Sequence, residues 1–401
     1  NALQKQEVHF FYMTCGEVFK YIENWAPREI AWNRDNVGLQ VGSTKRVIKN
    51  ILLSLDVNTN VAEEAIKKNC NLIITHHPLL FNPLRKIDTD NDSTSLLVEK
   101  LIKNNITLFS SHTNLDFTKD GVSFELAKTL KLQNIRFLSN LEANQYKLII
   151  FVPEKNLDSV AQAIFENGGG VIGEYTHCSF RTKGRGTFKG SEKTNPTTGK
   201  KLQYEKVNEI KIEIIVDSWK LDKVMEAVRK VHPYEEIAYD IYPLKNKNIN
   251  FGVGAIGAIK EPMTQETFLN YVSKSLNIKN FRYTTGKRNK IKKVAVCGGS
   301  GSEFVPAAIK EGTDAYISAD IKYHTFFDYH RKILLIDAGH YETEVFSLNE
   351  LKSRLTDLIK DNGKIKVYKY NRTTNPVIFY NNVGANQIDK QIENPLRIAT
   401  D

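Results

Sequence analysis

Cysteine is scarce: four residues in 401, at Cys15, Cys70, Cys178 and Cys297, with no CxxC pair. That excludes a thiolate zinc site and a disulfide framework, and it fits a reducing compartment. Long apolar runs are absent too; none approaches the roughly 20 residues of a membrane helix. The first residues lack the charged, apolar and small-residue succession of a secretory leader. A cytoplasmic protein without a membrane partner is therefore expected. The chain opens on Asn-Ala rather than Met, so residues 1–12 need not all be native. Acidic side chains are outnumbered, 46 against 56 Lys and Arg, which leaves a net charge of +10. A basic field attracts phosphate polymers. No nucleic-acid reading motif accompanies it, so nucleic-acid binding is expected to be weak and non-specific at most. The densest excess lies between Arg181 and Lys201, with seven basic residues against one acidic.

What is present is an α/β pattern, in a chain too long for one ordinary core. A helical pattern marks Val18, Ile22 and Trp25, and Asp35 to Gly42 reads as turn then strand. Apolar Ile51–Val57, helical Val61–Lys68 and apolar Leu72–Thr75 form a strand–helix–strand unit. Leu108–Ser111 is another strand, followed by a helix around Ser123–Leu130. The pattern returns late: strand Lys293–Cys297, a Gly298–Gly301 turn, helix Glu303–Glu311, strands Ala315–Ser318 and Ile333–Asp337, then helix. Segments 51–77 and 293–324 read as a degenerate repeat, each ending its second strand just before histidine. Two related α/β halves with mostly parallel sheets follow, residues 1–142 and 248–401, forming one domain. Between them, 143–247 reads as strand, helix, a Gly-rich turn, a loop or hairpin over 182–201, strand, helix and strand. That order suggests a ferredoxin-like α+β insert, with polar linkers at 140–145 and 245–250.

The chemistry-bearing residues sit just past predicted parallel strands, where such sheets place ligands. His76 and His77 are adjacent on an extended chain and so can address two positions in one cleft. His112 and Asp116 follow the next strand; His112 is read as a ligand, a supporting donor or pocket wall. His340 and Glu344, four apart, share a face if a helix begins there, whereas Glu342 would point elsewhere. Imidazole and carboxylate without thiolate suit zinc, with iron or manganese as alternatives. Two such ions about 4 Å apart can clamp water and a substrate oxygen. His324, after Asp320, is read as lining the same cleft and acting as a catalytic proton donor. The Gly298–Gly301 turn offers amides to an anion or is simply a tight turn; it lacks a Walker lysine.

Asp35-Asn-Val-Gly-Leu-Gln-Val-Gly42, Thr75-His-His-Pro78, His112-Thr-Asn-Leu-Asp116, Cys297-Gly-Gly-Ser-Gly301 and Gly339-His-Tyr-Glu-Thr-Glu344 together resemble the GTP cyclohydrolase I type 2 homologue family, also called NIF-three-like. The resemblance covers about 13–142 and 248–375. It implies two divalent metals per subunit held by His76, His77, Asp116, His340 and Glu344, with Glu344 bridging. Phe180–Phe188 and His232-Pro-Tyr-Glu-Glu236 resemble the PII-like insert of the family's longer members. A homo-hexamer, a small-molecule substrate and hydrolase chemistry on a nucleotide or related heterocycle are implied as well. The alternatives are a metal-dependent regulatory or interaction protein without turnover, and a ring-shaped nucleic-acid-associated protein.

Overall fold

The computed structural model describes residues 12–380; residues 1–11 of the stretch that need not be native lie outside the described residues. Strands 51–54, 72–75 and 107–110 are buried at every position. Such continuous apolar runs suit strands covered on both faces. They pair in parallel, 51–54 with 72–75 and 72–75 with 107–110. An antiparallel strand, 38–41, and a parallel one, 367–369, complete a five-stranded sheet. Helices 15–25 and 347–358 cover one face around Phe19, Ile22 and Leu355. Helices 59–67 and 93–103 cover the other around Val61, Val98 and Leu101. Their starts are fixed chemically: Asn58 and Asp92 accept the backbone N–H of Val61 and Ser95 at 3.0 and 2.8 Å.

The second sheet has six strands. Its centre is parallel, 290–300 with 315–319 and 315–319 with 334–337. Strands 248–264, 133–141 and 282–284 join antiparallel, so this half is mixed rather than parallel throughout. Among the described residues the chain crosses between halves twice. Strand 133–141 leaves the first half to edge the second sheet, and strand 367–369 returns from the second half to edge the first.

Residues 145–243 form a separate four-stranded antiparallel sheet in the order β-α-β-β-α-β, with both helices packed on one face. The stretch expected as a loop or hairpin is a hairpin, strand 180–189 pairing with 204–217. The expected polar linkers are shorter than their composition suggests. Leu141 and Asn248 lie in paired strands, and buried Asn248 donates its amide to Asn144 and Asp217 at 2.9 and 3.2 Å. Among the described residues, no helix is long and apolar enough to cross a membrane.

Candidate metal centre

The carboxyl ends of both sheets meet at one cluster. From the first sheet come Asp56, past strand 51–54; His76 and His77, past 72–75; and His112, past 107–110. Asp116 ends the short helix 113–116. From the second sheet come Asp320, past strand 315–319, and the helix 340–344 that begins with His340 and ends with Glu344. Gly339, at φ 92°, makes the left-handed turn that starts this helix. One helical turn then sets His340 Nε2 3.0 Å from Glu344 Oε1.

Glu344 is the hub. Its Oε2 lies 3.0 Å from His77 Nε2 and its Oε1 3.7 Å from His76 Nε2, while Asp116 Oδ1 is 3.6 Å from His76 Nε2. The imidazole rings of His76, His77 and His112 lie 4.9 to 5.5 Å apart by centroid, and His340 is 5.3 Å from His77. Two overlapping groups of donor atoms result, His76–His77–His112 and His77–His340–Glu344, each within 4.8 Å.

Every imidazole is oriented from behind. Nδ1 of His77, His112 and His340 meets a carboxylate, Asp56, Asp35 and Asp320, at 2.8, 2.9 and 2.6 Å. His76 Nδ1 meets the Ser111 carbonyl at 2.9 Å. Carboxylate- or carbonyl-anchored imidazoles are the usual support of metal ligands, because the anchor fixes the tautomer and the ring plane. Asp35 is itself held by the Thr113 N–H at 3.0 Å. Burial pushes its carboxyl up, but His112 and Thr113 outweigh this and bring it to about 2.

What faces inward is left without partners. His76 Nε2, His77 Nε2, Asp116 Oδ1 and Glu344 Oε2 are buried and make no hydrogen bond. Leaving four polar atoms so disposed costs free energy at each. His77 and Glu344 approach to 3.0 Å yet are not aligned for a hydrogen bond. Lone pairs aimed at a common third point produce that geometry. The residues therefore fit a divalent cation.

Residues 298–300, expected to begin a turn, instead end strand 290–300, and the Gly298–Gly301 segment has a different task from anion binding. The Gly298 and Gly299 amides are already taken, by the Ser123 and Thr343 hydroxyls at 3.2 and 3.0 Å. Gly299 instead provides clearance: a Cβ there would lie 2.2 Å from Glu344 Oε1 and 3.2 Å from His340 Nε2.

The structure thus brings His76, His77, Asp116, His340 and Glu344 together and adds His112. His324 is not among them; it stands exposed on helix 323–329, its ring 5.5 Å from Tyr323. Glu342 turns away from the cluster and accepts the Asn375 amide at 2.8 Å. The orienting carboxylates Asp35, Asp56 and Asp320 were not singled out as such from sequence. All three lie at or just beyond a strand end, or in a quoted motif, which is the one signal that marks them.

The charges give the metal-free protein a definite pH response. Burial alone would lower His77, but Asp56 and Glu344 outweigh it and raise it to about 10. His340 is likewise lowered by burial but raised by Glu344 and Asp320 to about 9. Both exceed the ordinary 6.5, so their stabilisation is full below about 6.5 and is lost as pH rises through 9 to 10. Chelator-treated protein should melt at a lower temperature at about pH 10.5 than at pH 7.5. Asp56→Asn should shrink that difference, and an undiminished difference would contradict the assignment.

Two sheets meeting around anchored imidazoles and carboxylates define an α/β protein with a candidate metal centre. The chain belongs to the Duf34/NIF3 (NGG1p interacting factor 3) family, whose model matches residues 13–376. A relative from Halalkalibacterium halodurans, named GTP cyclohydrolase 1 type 2 homolog, is 39% identical over 346 residues, covering 86% of this chain and 92% of that one. A Bacillus subtilis relative of the same name is 34% identical over 366 residues, covering 90% and 98%. Among solved structures, a Bacillus cereus protein related to NIF3 matches with TM-score 0.80 at 35% identity, covering 92% of this chain and 99% of that one.

Proposed function

We propose that the chain binds two divalent metal ions between its sheets and acts as a hydrolase on a small nucleotide-like heterocycle. His76, His77, Asp116, His340 and Glu344 would hold the ions, with His112 as a sixth donor. The observation that carries this reading is the convergence of four buried, unpartnered donor atoms from both halves. Imidazole and carboxylate donors suit zinc, with iron or manganese as alternatives. Bound there, the ions would supply Lewis acidity toward a substrate oxygen and make water a better nucleophile near neutral pH.

The chain's own residues prepare that chemistry. Asp56 and Asp320 keep the His77 and His340 protons on Nδ1, leaving Nε2 free toward the cluster. Glu344 is held well below the usual carboxylate range: burial opposes this, but His76, His340 and His77 outweigh it. It therefore stays charged where two cations would need neutralising. His324, four residues past Asp320, is proposed as a proton donor acting from outside the ligand set.

The relatives' name points to GTP cyclohydrolase-type chemistry, opening of a purine ring with release of formate. Incubating metal-replete protein with a nucleotide panel tests this, with formate release as the readout. Release from a guanine nucleotide that stops on metal removal supports the reading. Two bound ions with no nucleotide changed would favour the regulatory metal-binding alternative. Residues 143–247 are proposed as the PII-like insert domain, between halves 1–142 and 248–401. The assembly is proposed as a homo-hexamer, for which light scattering should report about six times 45.7 kDa; a clean monomer would exclude it. Nucleic-acid contact should be weak, because Arg181 and Lys183 of the basic hairpin already pair with Asp158 and Glu154 at 3.4 and 2.9 Å.

A further inference from the structure

Strand 367–369 runs parallel to 51–53, so its carboxyl end is also the site end of the first sheet. The Tyr370 N–H continues the ladder to the Leu53 carbonyl at 2.8 Å. Four residues on, Thr374 Oγ1 donates to Asp56 Oδ2 at 2.7 Å, while Asp56 Oδ1 holds His77 Nδ1 at 2.8 Å. The next residue, Asn375, donates its amide to Glu342 Oε1 at 2.8 Å. Glu342 lies on the same short helix as His340 and Glu344. A local turn shapes the segment: Asn375 N–H bonds Thr373 Oγ1 and Val377 N–H bonds Asn375 Oδ1, both at 3.0 Å.

We propose that Thr374 and Asn375 are positioning residues of the metal centre, a strap that fixes the orientation of His77 and ties it to the His340 helix. The inference rests on the metal reading above. The Asp56 side chain is 40% exposed, so water competes for its oxygens. Rotation about a carboxylate's last torsion is soft. A fixed hydroxyl on one oxygen keeps the other in line with His77 Nδ1, where water would not. Asn375 pins the same segment to the second half, so the strap spans both sides of the cluster without contributing a ligand. Losing the direct orienting partner of a ligating imidazole typically weakens metal affinity by about 10- to 100-fold; Thr374 acts one step behind Asp56, at the low end of that range.

The test is cobalt(II) titration of the full chain against a chromophoric chelator, with the visible spectrum of the loaded protein recorded. Thr374→Val keeps the shape and removes the hydroxyl; Thr374→Ser restores it. The expected result is about a tenfold weaker second equivalent and an altered spectrum in Thr374→Val. Thr374→Ser should match wild type, and all three should melt alike when metal-free. Asn375→Ala should speed stripping of cobalt by chelator. Wild-type affinity and spectrum in Thr374→Val, with two ions bound, would overturn the strap alone. A Thr374→Ser variant as weak as Thr374→Val would do the same, since packing rather than the hydroxyl would then matter. Wild-type protein that takes up no cobalt would overturn the metal reading itself and the strap with it.

Discussion

Glu344→Gln is expected to lower bound metal from about two equivalents toward one or none, while Glu342→Gln stays near two. The two carboxylates are two residues apart on one short helix, so the comparison isolates direction rather than location. Glu344 is 3% exposed and lies within 3.0 to 3.7 Å of three imidazoles. Glutamine keeps its volume but removes the charge that would neutralise two neighbouring cations. Its amide also places a donor where two lone pairs now point. Glu342 bonds Asn375, and glutamine can still accept that bond. Elemental analysis of the purified variants decides the matter; unchanged metal in Glu344→Gln, or equal loss in both, would show the wrong carboxylate has been assigned.

Gly299→Ala should also abolish or halve metal binding, although no ligand is changed. Gly299 has φ +63°, a left-handed conformation that costs a residue with Cβ about 1–2 kcal/mol. The added methyl would overlap Glu344 Oε1, which the buried site gives little room to retreat. Either the end of strand 290–300 shifts or the carboxylate swings off the line to His340. Metal analysis together with a melting curve of the metal-free variant measures the two effects separately. Full metal content at reduced stability would mean the strand end yields rather than the carboxylate, and would sink the clearance argument.

Most of the architecture was legible because parallel strands covered on both faces write themselves as unbroken apolar runs, as at 51–54, 72–75 and 334–337. The ligand candidates were legible because His76 and His77 follow such a run directly, and Asp116, His340 and Glu344 lie within seven residues of one. Strand 133–141 was harder, since exposed Gln133, Asn134 and Arg136 interrupt its few core residues, Ile135, Phe137 and Leu138. That composition concealed its membership of the second sheet. The basic segment read as either loop or hairpin, because strand 180–189 is mostly exposed and holds two glycines. The orienting carboxylates escaped for a different reason. An Asp that aligns an imidazole 20 to 77 residues away leaves no local periodicity, and Asp56 or Asp320 looks like any polar residue after a strand. The Gly298–Gly301 segment read as either an anion cradle or a tight turn and is the end of strand 290–300, because glycines that lend amides to an anion and glycines that make room for a carboxylate are spelled alike.

The exchanged edge strands have a consequence for how this chain is made. The first sheet lacks edge strand 367–369 until those residues are synthesised, and edge strand 133–141 of the second finds its partner 248–264 only across the whole insert. Pairings of such long sequence separation close slowly and late. The nascent chain therefore exposes His76 and His77 long before Glu344 exists to receive them, and metal captured early would be held by an incomplete set. On the proposed metal reading, ribosome-bound chains stopped before residue 340 should accordingly retain little metal, because loading would await the helix that carries His340 and Glu344.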